Sequence, residues 1–132
     1  MPYCFEFDPK NRILRCRFDG AIADQTLREF FGVAREYVAK TRPLAGIADL
    51  LAVTSFEATP ETIRELASSP PVLPETRYPC FIVAASPPVF GMMRMFDLGG
   101  QDTRPNLHVV RSMKEVCVVL GVPEPKFEPM SV

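Results

Sequence analysis

The chain carries a single histidine, no C-x-x-C pair, no Gly-rich phosphate loop and no surplus of either charge. Each shortage removes a class of function. One histidine and four scattered cysteines, Cys4, Cys16, Cys80 and Cys117, lack the spacing of a metal-ligand set. The cysteines read as reduced thiols used as small packing residues. His108 has no nucleophile or acid beside it, and no closely spaced carboxylate pair stands out. No catalytic, cofactor-binding or metal-binding residue is therefore assigned. A net charge of −1 over 132 residues, with no block of like charge, gives no nucleic-acid footprint and no polybasic membrane patch. The longest apolar runs fall well short of the roughly 20 residues of a bilayer-spanning helix. A basic start followed by an apolar core, the pattern of a signal peptide, is missing, so the expected location is cytoplasmic. There is no internal repeat and no low-complexity segment.

What remains is the composition of an ordinary globular domain, 47% apolar and 23% charged. At this length one domain with a real core is expected over residues 1–121. Residues 122–132 carry three of the fourteen prolines and read as a Pro-rich C-terminal tail, ordered only against a partner. The other prolines fall between segments and act as punctuation.

The organising stretch is 79–100. CFIVAA at 80–85 is an unbroken apolar run of strand length, the mark of a strand covered on both faces. Ser86 followed by Pro87 is a helix start, and Val89, Met92, Met93 and Phe96 then recur on one helical stripe. Near the N-terminus two alternating runs, 3–8 and 13–19, flank the turn-like Pro9-Lys-Asn-Arg12. Pairing Asp8 with Ile13 puts Tyr3, Phe5 and Phe7 opposite Phe18, Cys16 and Leu14 on the core face. Glu6 then meets Arg15 on the other face. A slip of one residue would mix the faces. The same register gives Cys4 a cationic neighbour in Arg17, the setting in which reactive thiols are found.

Asp19-Gly20 reads as a turn, and Asp24 as the cap of a helix to about Lys40, with Leu27, Phe30, Phe31, Ala34, Tyr37 and Val38 as its stripe. Residues 44–53 form a second core strand interrupted by Asp49, a group that needs a partner if buried. Residues 54–59 are a loop, and Thr59 caps a short helix with Pro60 at its first position. Residues 106–110 are a strand near the sheet edge. Ser112 and Glu115 form a capping box opening the last helix. The order β-β-α-β-α-β-α-β-α predicts an α/β fold: an N-terminal β-hairpin followed by alternating strands and helices, in a mixed, mainly parallel sheet flanked by four helices.

This order resembles the STAS fold of anti-sigma factor antagonists, and more closely the bacterial branch of single-domain STAS-like (SpoIIAA-like) proteins. DLLAVTSF at 49–56 is similar to a family strand, FIVAASPPVFGMMRMF at 81–96 to the branch's strand-helix segment, and VVRSMKE at 109–115 with Leu120-Gly121 to its closing segment. The resemblance implies a non-catalytic protein-interaction or regulatory domain, its partner another protein or a second copy. Phospho-regulated members carry D-S-[ST]-G where this chain reads Phe56-Glu-Ala-Thr-Pro60, with Ala58 or Thr59 at the phosphoacceptor position. Thr59 is thus the candidate regulatory position, although Glu57 and Glu61 oppose added negative charge there. Ser86 is no phosphate cradle, since Pro87 and Pro88 remove two N–H donors.

Beyond its core stripe, the 89–98 helix carries more apolar surface than one sheet face needs. Phe90, Arg94, Met95 and Leu98 are the candidate partner or ligand surface. The alternative is a small-molecule or lipid-binding domain, with an apolar pocket between this helix and the sheet. An enzyme would need a polar cluster assembled from Asp49, Thr54, Ser55 and His108.

Overall fold

The computed structural model describes residues 2–75 and 77–130. In chain order the elements are β1 (Tyr3–Asp8), β2 (Ile13–Ile22), α1 (Asp24–Thr41), β3 (Ala45–Phe56), α2 (Pro60–Ala67), β4 (Cys80–Val83), α3 (Pro87–Gly99), β5 (Leu107–Val110), α4 (Met113–Leu120) and β6 (Glu128–Pro129). The fold is α/β. Its six-stranded sheet runs β5-β4-β3-β2-β1-β6, with β2 to β5 parallel and β1 antiparallel to both its neighbours. Among the described residues no helix is long and apolar enough to cross a membrane.

Period-two alternation fixes the hairpin. Tyr3 faces Phe18, Phe5 faces Cys16 and Phe7 faces Leu14, while Glu6 faces Arg15 on the opposite side and bonds it at 3.1 Å. The next strands step one place at a time across the sheet. Crossovers of a single hand then put every connecting helix on the same face. Accordingly α1, α2 and α3 share one core with the sheet, and α4 alone packs Val116 against Ile47, Phe81 and Val83 on the other face. Aromatic rings knit the first core to the hairpin: Phe5 stacks on Tyr37 at 4.3 Å, and Phe18 meets Phe30 at 4.9 Å. The 80–83 run lies inside the sheet between β3 and β5, as an apolar stretch covered on both faces should.

Four expectations are corrected. Asp19-Gly20 is not a turn. β2 runs through it to Ile22, and Gly20, at φ +68°, lies where the register against β3 shifts. A glycine in the left-handed region lets the strand bulge and continue. β3 in turn extends to Phe56, so residues 54–56 are strand rather than loop. Asp24 does not cap α1. The cap position is Ala23, and the Asp24 carboxylate instead accepts the Thr59 N–H at 2.7 Å, tying the start of α1 to the start of α2. Finally, the Pro-rich segment after α4 folds back onto the sheet. β6 pairs with β1, the Met130 N–H donates to Phe5 O at 2.9 Å, and Phe127 lies under the Arg15 guanidinium at 3.9 Å. Pro129 is tolerated because β6 is an edge strand.

Candidate functional site

The sequence-predicted polar cluster is not assembled. Asp49 sits midway along β3, buried, and accepts the Leu51 N–H at 3.0 Å. His108 is on the edge strand β5, stacked on Phe81 at 5.1 Å, with Nε2 2.9 Å from Asn106 Oδ1. Because Asn106 Nδ2 donates to Arg77 O, Oδ1 must be an acceptor and Nε2 carries the proton. That nitrogen is therefore no general base. Ser55 bonds Glu57, away from both.

Thr59 is the N-cap of α2, its hydroxyl accepting the Thr62 N–H at 3.3 Å. The Asp24 carboxylate stands 3.2 Å from the same hydroxyl. The bond from the Thr59 N–H holds the Asp24 carboxyl below its usual range, so the charge at this helix start is already negative.

On α3 the four candidate surface residues part company. Phe90 and Met95 are half-buried against the core, and the Arg111 guanidinium lies 3.9 Å above the Phe90 ring. Arg94 pairs with Asp97 at 2.9 Å. Leu98 is 60% exposed.

The structure does contain an apolar cavity, of about 160 Å³. It lies between the sheet and all three helices of that face. Cys16, Leu50 and Ile82 form its floor, with Ala34 from α1, Leu66 from α2 and Met93 from α3 above them. For scale, an engineered apolar cavity of about 150 Å³ stays dry and takes up benzene. Of the lining, the partly exposed residues include Pro71, Val72, Tyr78, Arg104 and Asn106. Several neighbour the starts of β3, β4 and β5, where Gly46 pairs with Cys80 and Cys80 with Leu107. The polar rim is thus at the amino ends of the parallel strands, opposite the carboxyl ends that commonly hold α/β sites.

Chemically the cavity is inert except at this rim. Burial pushes the Cys16 thiol far up. Burial also raises Cys80, to about 11, against the opposing pull of the Arg104 charge and the Gly46 N–H. Both thiols are protonated at neutral pH and are poor nucleophiles. Arg104 is the polar residue that matters. Its guanidinium donates to Ala67 O and Ser69 O, each at 3.0 Å, closing the end of α2, and it lies 4.7 Å over the Phe96 ring. Gly100 makes room for it: a Cβ there would meet Ala67 O at 2.9 Å and Arg104 Nη1 at 3.1 Å. Arg104 is not among the candidate residues drawn from the sequence. Nothing local marks it, because its partners lie some 35 residues earlier.

A scan against protein-family models finds no match for this chain, and a search of curated proteins finds no significant relative.

Proposed function

We propose that the chain is a non-catalytic STAS-like binding domain whose interior cavity takes a small apolar ligand. The single observation that carries the reading is an apolar space of about 160 Å³ between the sheet and α1, α2 and α3. Protein interiors normally fill such space, and apolar walls without partner atoms forfeit packing contacts at a cost in stability. A ligand offsets that cost. The STAS-like assignment is supported by the element order that suggested it; the missing D-S-[ST]-G motif and the Asp24 carboxylate beside Thr59 argue against a phosphorelay role.

A methyl-detected NMR titration with 1-octanol tests the cavity. Saturable shifts confined to methyls around it, Met93 and Leu66 first, are the expected result. No saturable shift up to the solubility limit overturns the reading.

Surface recognition of a protein or a second copy is a second reading. It is favoured by the exposed Leu98 next to the half-buried Met95.

A further inference from the structure

Among the described residues the positive charge at the cavity's rim has no ion-pair partner: Arg104 lines the cavity, and Arg35 stands just outside that lining. Arg104 and Arg35 both reach the Pro70 carbonyl, at 3.4 and 3.0 Å, so two guanidinium groups share one acceptor. Among the described residues neither makes an ion pair; Glu65 pairs with Arg28 and Glu75 with Arg77. The rings of Phe96 and Phe31 flank Arg104 at 4.7 and 5.9 Å. Carbonyl dipoles satisfy part of each fork but do not neutralise two like charges held together. Of the five N–H groups of Arg104, Nε–H donates to no acceptor among the described residues. Arg104 is half-buried, where a guanidinium attracts an anion more strongly than it does at the open surface, and the exposed Arg35 adds a second positive charge beside it.

We infer that the cavity's ligand is a small amphiphilic carboxylate, with its alkyl or aryl part in the apolar space and its carboxylate at the rim between Arg104 and Arg35. The inference rests on the cavity reading above and adds the head group to it. The cavity volume limits the apolar part to something near a benzene ring or a short alkyl chain. A carboxylate fits the fork of a guanidinium in two parallel bonds, and charge-assisted bonds are about twice as strong as neutral ones. Arg104 also moves with the architecture of α2, because the same group that would meet the ligand clamps the helix end. Arg35 is exposed and bears less of that structural duty.

The test is calorimetric titration of the full chain with octanoate and, separately, 1-octanol, at neutral pH and at two salt concentrations. Octanoate is expected to bind at least tenfold more tightly than 1-octanol, and only octanoate to weaken as salt rises. Arg35→Gln should reduce octanoate affinity at least fivefold, and Arg104→Lys should reduce it further. If Arg104→Lys fails to fold, Arg35→Gln still decides. Equal affinity for the two ligands, or octanoate binding that Arg35→Gln leaves intact, overturns the head-group inference while the cavity reading stands. Failure of both ligands to bind overturns the two together.

Discussion

Asp8 shows how one side chain ties together distant parts of the chain. It is only 1% exposed, yet its carboxylate accepts four hydrogen bonds. Lys10 N and Asn11 N donate to one oxygen, closing the hairpin turn, and Asn11 Nδ2 and Lys126 N donate to the other. The last bond fastens the segment leading into β6. Burial pushes the carboxyl up, but the donors from Asn11, Lys126 and Lys10 outweigh it, and its pKa falls below the ordinary value. A group depressed in the folded state adds stability above its unfolded pKa, about 4, and that stability disappears as pH falls through the folded value. Asp8→Asn turns an amide N–H₂ toward donors and should cost about 1–3 kcal/mol at pH 7. Urea unfolding of the two proteins at pH 7 and below pH 4 checks this. The gap should narrow in acid, and a gap of constant size would mean the charge is not what matters.

At the scale of elements, the difference between what was legible and what was not follows from range. The hairpin register was readable because alternation with period two admits one pairing that keeps polar and apolar faces apart. The capping box at Ser112 and the Thr59 cap were readable because caps act within one turn, and both are present. Gly20 misled because glycine punctuates chains far more often than it bulges a strand. Asp24 misled because a cap-type residue found a better partner 35 residues away. β6 was invisible, since two residues paired at an edge carry no periodic signal. The candidate surface of α3 was legible only as amphipathic excess. Which residues of that excess stay open depended on Arg111, from beyond β5, lying over Phe90. Leu98 is what remains, so self-recognition through α3 should depend on it. Light scattering after size exclusion is expected to show a dimer that dissociates on dilution and is abolished by Leu98→Glu. A monomer at every concentration would retire that contact.

The cavity is a property of the whole molecule. No single element encloses it: three helices and the middle of the sheet each contribute one wall, and only the order β5-β4-β3-β2 places α1, α2 and α3 side by side over the same strands. Sequence could suggest a pocket beside α3 from surplus apolar residues, but the volume left over is a difference between large packed volumes. That difference also makes it testable without a ligand. Ala34 is buried at the wall of the cavity, whereas Ala45 is equally buried in the core on the α4 face and is not part of the cavity's lining. Ala34→Leu keeps a strong helix former in α1. Its added carbons gain about 2 kcal/mol by burial and lose about 1 in side-chain freedom, a net gain of about 1 kcal/mol. The melting temperature should therefore rise by about 3–5 °C. Ala45→Leu adds volume away from the cavity and should cost about 1–3 kcal/mol by overpacking. Scanning calorimetry of the two variants is the measurement. If both lower the melting temperature alike, the space beside Ala34 is filled in solution. If Ala34→Leu stabilises the fold and also blocks 1-octanol, then the chain gives up stability in order to keep that space open.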